Sequence, residues 1–457
     1  MKPTNSFSDK LRRLRHTLFP LPYKYGKRFQ QVFSFLQSHQ HASRDEIQDY
    51  QWNRIKALLD YAHAHVPFYQ KRFSEIGLHP NDIKTRDDYR KIPYLTRADV
   101  TEYLEQLKSD EFDRLNPVET VTSGTSRDRL RIFRSAEAEI WRKAMMWRHF
   151  INIGYKFREP RAQFTGWLKY LPEGEFADVD YNENLLRIEQ FSINHNKAPE
   201  IYQLLKAWGP KLIYCQPANI ATLVLHFQEH RLRPFAVPIV YTTGEIIYPQ
   251  YRKAIESFFG SKIIDYYGNR ENTVAAVQMS DGRKYIQSEY CYLEFVNSAG
   301  EETTGEPAEI VATSLVNYAL PLIRYHTDDV GISRGYPANA VANYPVMEIV
   351  GGRGKDLILT QRGLIYPQIE IAAGGEKFER VRVEQKTLEH LHVTYVPTRE
   401  FRAPDDETFL VRVYQDYFGS EFRITIERVD DIPLGESGKN KLYVSKLAMD
   451  YLRKRQS

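Results

Sequence analysis

Helical spacing of apolar residues dominates the first hundred positions. Ser43 and Glu46 stand three apart as a capping-box pair, and Ile55, Leu58, Leu59, Ala62 and Val66 follow as one apolar face, which Pro67 ends. Ile92, Pro93 and Leu95 lead to Thr96, which caps a further helix beginning Arg97-Ala98-Asp99-Val100. In the middle of the chain the period changes. Residues 211–215, 237–241 and 263–267 are short apolar runs that predict buried strands. The segments after the first two carry helical spacing, through Ile220, Leu223, Val224 and Phe227 and then through Tyr251, Ile255, Phe258 and Phe259. Gly260 stands where a helix-ending glycine is expected. Strands alternating with helices predict a parallel sheet covered on both faces.

Beyond about residue 285 the helical pattern stops. Residues 292–296, 308–313 and 322–325 predict strands joined by glycine turns such as Ser298-Ala299-Gly300, and Gly351, Gly352 and Gly354 mark a hinge. The remainder predicts strands at 409–414 and 422–428 and a short terminal helix. The expected fold class is α/β. A large N-terminal domain over residues 1–351 carries mixed and parallel sheets flanked by helices, and a small mobile α+β domain spans 352–457. At the start of the chain, Phe7, Leu11, Leu14 and Leu18 are helically spaced with Lys10, Arg12, Arg13 and Arg15 between them. A lid helix packed on its own domain is favoured there over a helix lying on a membrane surface.

Composition narrows the function classes. Among 457 residues, 42% are apolar and 27% charged, as in ordinary soluble proteins with a large core. The 63 basic and 59 acidic residues leave a formal charge of +4, which gives no footprint for nucleic acid. Two cysteines, Cys215 and Cys291, are too few for a disulfide framework or a cysteine-based zinc site, so a reducing, cytoplasmic setting is expected. No apolar run reaches membrane-span length, and no signal peptide is legible. The close histidine pairs, His39/His41, His63/His65 and His390/His392, lack metal-ligand spacing and read as solvated. There is no Gly-x-Ser-x-Gly elbow, and neither cysteine has a nucleophile's context.

The chemistry lies in six spaced segments. Thr122-Ser123-Gly124-Thr125-Ser126 is a run of small hydroxyl and glycine residues whose uncovered N–H groups and hydroxyls can wrap an anion, though it lacks the Gly-Lys-Ser/Thr ending of a Walker A loop. Thr243-Gly244-Glu245, Tyr266-Tyr267-Gly268-Asn269-Arg270-Glu271, Arg324-Tyr325-His326-Thr327-Asp328-Asp329 and Gly352-Arg353-Gly354-Lys355-Asp356 follow, with Pro433 to Lys439 near the end. Together they resemble the adenylate-forming superfamily, in its phenylacetate–CoA ligase-like and capsular-polysaccharide CapK-like branch. The resemblance starts at Gln51-Trp52-Asn53-Arg54 and Val66-Pro67-Phe68-Tyr69 and runs to the end of the chain.

That resemblance implies specific roles. Residues 122–126 would hold ATP phosphates, with Arg127-Asp128-Arg129 in place of the family's Gly-Lys-Pro and Arg127 or Arg129 as substitute cations. Gly244 and Glu245 would line the adenine pocket. Tyr266, Tyr267 and Gly268 would pack on the nucleotide, and Glu271 would hold Mg²⁺. Asp329, with Asp328 as the neighbouring alternative, would accept both ribose hydroxyls. Arg353 would reach ribose and phosphate, and Lys355 would be the hinge. Lys439, or Lys441 beside it, would bridge the substrate carboxylate and the α-phosphate. The acyl pocket is expected near Phe164, Thr165, Gly166 and Trp167, which suggests an apolar or aryl acid. The implied activity is an ATP- and Mg²⁺-dependent ligase. It activates a carboxylic acid as acyl-AMP and passes the acyl group to coenzyme A, or to an amine or hydroxyl acceptor in surface-polysaccharide synthesis. A nucleotide-binding or partner-binding protein that has lost turnover is the alternative. The expected partners are small molecules; a homodimer stays open.

Overall fold

The computed structural model describes residues 21–121, 130–351, 358–367, 377–432 and 443–450, apart from positions 167, 169, 170, 173, 246, 248, 298, 362, 366, 420 and 449. The N-terminal helix expected around Phe7 to Leu18 lies outside these residues. The described chain opens with helices α1 (Leu21–His39), α2 (Arg44–His65), α3 (Pro67–Glu75), α4 (Arg86–Arg90), α5 (Arg97–Glu102) and α6 (Leu104–Leu107). The capping box forms as expected: the Ser43 side chain accepts from the Glu46 N–H, and the Glu46 carboxylate accepts from the Ser43 N–H. Pro67 ends α2 and at once starts α3 at its first turn, where its missing N–H costs nothing. Thr96 caps α5 through the Asp99 N–H at 3.1 Å.

A hairpin of β1 (Val118–Val121) and β2 (Arg131–Arg134) leads to α7 (Ala136–Asn152). Then come β3 (Arg161–Thr165), β4 (Ala177–Asp180), β5 (Leu185–Glu189), α8 (Ala198–Trp208), β6 (Leu212–Cys215), α9 (Pro217–Glu229), β7 (Ile239–Thr243), α10 (Pro249–Phe259) and β8 (Lys262–Gly268). The three strands expected here are present, and Gly260 follows α10 at φ +63°, its N–H bonded to the Glu256 carbonyl. Strands β5, β3, β6, β7 and β8 are parallel neighbours in that order. Consecutive residues alternate between the two faces. Leu212, Ile239 and Ile264 join a core with α1 and α7, while Ile213, Val240 and Ile263 join a second core with α8, α9 and α10. Both faces are therefore covered, which is why these strands read as unbroken apolar runs.

Next come β9 (Ala275–Gln278), β10 (Lys284–Ile286), β11 (Cys291–Val296), β12 (Pro307–Ser314), β13 (Tyr325–Gly335) and β14 (Val346–Gly351). They extend the sheet antiparallel to twelve strands, in the order β11-β12-β13-β14-β10-β9-β8-β7-β6-β3-β5-β4. The strand expected at 322–325 does not form. Leu322 and Ile323 are buried in a core with α2 to α5, Arg324 adopts φ +51°, and the strand begins at Tyr325.

Toward the C-terminus, β15 (Ile358–Thr360) pairs with β16 (Gly363–Ile365). Strands β17 (Phe378–Thr387), β18 (His390–Pro397), β19 (Arg423–Arg428) and β20 (Tyr443–Val444) form a sheet that shares a core with α11 (Asp405–Phe418). The strand expected at 409–414 is instead the middle of α11: Leu410, Tyr414 and Phe418 are buried four apart, and Asp405, Asp406 and Glu407 occupy the favourable first turn. Among the described residues, no helix is long and apolar enough to cross a membrane.

Candidate active site

Strands β3, β6, β7 and β8 run in one direction, so Thr165, Cys215, Thr243 and Gly268 end on one edge of the sheet, where open α/β sheets bind ligands. The loops leaving that edge begin with Gly166, Gln216, Gly244-Glu245 and Asn269-Arg270-Glu271. Gly244 turns the β7 loop at φ +84°, and a Cβ there would face the Gln216 side chain at 3.5 Å. The Gln216 amide oxygen accepts from the buried Asn219 Nδ2 at 3.0 Å, and Gln190 Oε1 accepts from the same group at 3.3 Å. Phe164 lies below the edge in the core that includes Leu186 and Ile188, and the part-buried Thr165 and Gly166 carry the chain past it.

Aromatic rings build one wall. Tyr214 stacks on Tyr241 with ring centres 5.4 Å apart, and Tyr241 stacks on Tyr266 at 6.2 Å. Behind them His149 Nε2 donates to the Gln278 carbonyl at 2.9 Å. Its Nδ1 must then accept from the Tyr241 hydroxyl at 2.7 Å. Burial lowers this histidine to about 4, so it is a neutral support at pH 7. A Cβ on Gly268 would fall on the Tyr266 ring, so only glycine lets that ring lie across the strand end.

The carboxylates converge from two segments. Tyr267 donates its hydroxyl to Asp329 Oδ2 at 2.8 Å, and the Asp329 N–H bonds the Thr327 hydroxyl at 3.2 Å. Burial first, then Asp329, push the Tyr267 phenol well above its usual range, and the charge of Glu271 adds to the push. Asn269 shapes the loop that carries Glu271: its Oδ1 accepts from the Thr273 and Val274 N–H groups. Glu271 is buried, and its Oε1 stands 4.0 Å from Arg97 Nη1, the outer limit of a direct ion pair. A buried carboxylate so loosely held fits an oxygen ligand for a hard cation.

Next to Asp329, His326 lies 2.7 Å from Glu309 Oε2 and 3.4 Å from Asp328 Oδ1. Bonding to Asp328 outweighs the effect of burial and, with Glu309, raises this histidine to about 8. Arg324, in the same motif, is structural: it forms a buried two-point pair with Glu294.

Cations gather on the α7 side. Arg134 Nε and Arg142 Nη2 both reach Glu139, at 2.6 and 2.7 Å, and Arg142, Arg134 and Arg270 all act on the surrounding tyrosines or on one another. Arg134, Arg142 and Lys143 all act on the one carboxylate of Glu139, which leaves a net positive charge suited to phosphate. Arg97, Arg142 and Gln216 were not legible as site residues: isolated arginines and amides have no periodic signature, and helix packing brings in Arg97 and Arg142 while the end of β6 places Gln216. Of the expected site residues, Gly244, Glu245, Tyr266, Tyr267, Gly268, Glu271 and Asp329 are brought to one region with Thr165 and Gly166. Thr122 to Ser126, Trp167, Arg353, Lys355 and Lys439 lie outside the described residues.

This twelve-stranded mixed sheet flanked by helices, with a C-terminal α+β unit, matches the fold of solved CoA ligases. It aligns with the crystal structure of 2-hydroxyisobutyryl-CoA ligase in complex with 2-HIB-AMP and CoA in the thioesterification state, at TM-score 0.62 and 17% identity over 91% of this chain and 93% of that one. An open conformation of the same ligase aligns at TM-score 0.54 and 17% identity, over 86% and 90%. By sequence the chain is 24% identical to the phenylacetate-coenzyme A ligase of Pseudomonas putida over 353 residues, 72% of this chain and 76% of that protein. It is 24% identical to the enzyme of the same name from Escherichia coli K12 over 347 residues, 71% and 75%. Residues 368–446 match the family model described as the CapK C-terminal domain. These likenesses bear out the resemblance to the phenylacetate–CoA ligase-like and CapK-like branch that the motifs carry.

Proposed function

We propose that this protein is an ATP-dependent ligase that converts a carboxylic acid to its acyl-AMP and then to a thioester of coenzyme A. The observation that carries this is the Tyr267–Asp329 hydrogen bond beside the buried Glu271, at the edge where four parallel strands end. An Asp329 carboxylate oriented by a phenol can accept both hydroxyls of a ribose. The part-buried rings of Tyr214 and Tyr266, backed by the fully buried Tyr241, offer flat surface to a base or an aryl acid.

In the first step a carboxylate oxygen bonds to the α-phosphorus of ATP, and the bond to pyrophosphate breaks. In the second a thiol sulfur bonds to the acyl carbon, its proton is lost, and AMP leaves. Mg²⁺ would supply charge neutralisation between phosphates, with Glu271 as its protein ligand. The chain's own residues position and neutralise: Asp329 and Tyr267 orient the ribose, and Arg142 with Arg134 draws the anionic groups. Residues 122–126, Arg353 and Lys439 complete the set on motif grounds. The boundary at 351/352, with rotation about Lys355, separates the two steps. A second acceptor class, an amine or hydroxyl, is the alternative to coenzyme A.

Acid-dependent ATP–pyrophosphate exchange over aryl, fatty, hydroxy and amino acids tests the first step, and mass detection of the acyl-CoA tests the second. Exchange without thioester would move the acceptor to an amine or hydroxyl. ATP binding with no exchange for any acid would leave the protein that has lost turnover.

A further inference from the structure

Far from that edge, the end of α9 and the loop before α8 bring together His195, His226 and Glu229. Glu229 Oε2 lies 3.0 Å from His195 Nδ1 and 3.1 Å from His226 Nδ1, and one ligand atom from each of the three lies within 4.8 Å of the others. His226 and Glu229 are three apart on one face of α9, so the helix sets two donors without any loop rearrangement. His226 is buried, Glu229 half-buried and His195 exposed. His230 secures the third donor: its ring stacks on His195 with centres 4.1 Å apart, and its Nε2 donates to the His195 carbonyl at 2.8 Å.

Two imidazole nitrogens and one carboxylate oxygen are the donor set of a zinc-class cation, with a fourth position left for water. Tetrahedral zinc with bonds of about 2.0–2.1 Å sets its ligands roughly 3.3 Å apart. The two contacts to Glu229 are only slightly shorter, so a small outward shift of the exposed His195 admits the ion. A hydrogen-bonded triad in place of metal is the competing account; it needs protons on the ring nitrogens that a metal would displace.

We propose that His195, His226 and Glu229 bind one divalent ion of the zinc class, which staples the loop before α8 to the end of α9. Helix α9 starts at the ligand edge, beside Gln216, and its 13 residues place the triad roughly 20 Å away at 1.5 Å per residue. The role is therefore structural, and it does not depend on the adenylation reading.

The test uses full-length, tag-free protein stripped with chelator and free of nucleotide. Zinc chloride is titrated by calorimetry, bound metal is counted by mass spectrometry after dialysis, and melting temperature is followed with and without zinc. One equivalent is expected, with a higher melting temperature. Because His226 is buried, its loss could disturb the helix end, so the deciding variants are His195→Ala and Glu229→Gln. Both should keep the unliganded melting temperature within a few degrees, bind zinc about tenfold or more weakly, and lose the zinc-dependent rise. Unchanged zinc affinity in His195→Ala, no equivalent retained by the wild type, or equal retention of magnesium would each overturn the assignment.

Discussion

The Tyr267 hydroxyl and the Asp329 carboxylate meet at 2.8 Å and tie the end of β8 to β13, which lie apart in the sheet order with β14, β10 and β9 between them. One oxygen of Asp329 is thereby oriented by a phenol. Tyr267→Phe removes that donor and leaves the backbone unchanged, and a hydrogen bond to a charged group contributes about 1.5–3 kcal/mol. The expected result is a KM for ATP raised about tenfold or more, with kcat for exchange little altered. Asp329→Ala should raise it further. Exchange rates measured against ATP concentration decide; an unchanged KM in both variants would remove Asp329 from the nucleotide site.

Glu271 faces Arg97 at 4.0 Å, so any cation that Glu271 holds competes with a guanidinium. Arg97→Gln should lower the magnesium concentration that half-saturates exchange, and Glu271→Gln should raise it about tenfold or more. The opposite signs are the point of the pair. A rise in both variants would mean that Arg97 acts on the phosphates and not on Glu271.

How far the sequence led differs between the two halves of the large sheet. The parallel strands were legible because burial on both faces leaves only apolar residues, as at Ile263 and Ile264, and because Gly260 and the Ser43–Glu46 box punctuate the helices. Leu322 to Arg324 misled for a related reason: they are as buried as a strand, but they pack under α2 to α5 while Arg324 turns at φ +51° to meet Glu294. In α11, Val411 and Val413 resemble a strand locally, and only the wider spacing of Leu410, Tyr414 and Phe418 reveals the helix. The site motifs named Tyr267, Glu271 and Asp329 but not their neighbours. Arg97 and Arg142 reach the site through tertiary packing, and His195 joins His226 and Glu229 across 31 residues of chain, a distance that no histidine spacing rule spans.

His326 carries a pH signature. Its bonds to Asp328 and Glu309 raise it from 6.5 to about 8, so the protonated ring stabilises the fold. A raised value contributes fully below about 6.5 and is lost as pH rises through 8. The shift corresponds to at most about 2 kcal/mol, and to about 1 kcal/mol once the exposure of Glu309 is allowed for. Urea unfolding between pH 6 and 9 should therefore show a decline that His326→Gln flattens. An identical slope in the variant would assign the decline to other groups.

The largest single stability effect is expected from a group far from the chemistry. Glu289 is fully buried and accepts from Arg148 Nη1 at 2.9 Å; Tyr344 bonds the same oxygen, and His39 Nδ1 lies 3.1 Å from it. Burial pushes this carboxyl up, but Arg148, His39 and Tyr344 outweigh it and leave it at about 2. A lowered carboxyl stabilises the fold above the ordinary value of 4.5, and that contribution is lost as pH falls towards 2. Glu289→Gln keeps the shape but strands the Arg148 charge, which costs about 3–5 kcal/mol. Urea unfolding at pH 7 should show that loss, and the added change Arg148→Met should recover part of it, because the stranded charge goes with it. If the double variant were less stable than Glu289→Gln by the full cost of a second independent core substitution, the two residues would not be acting as a pair.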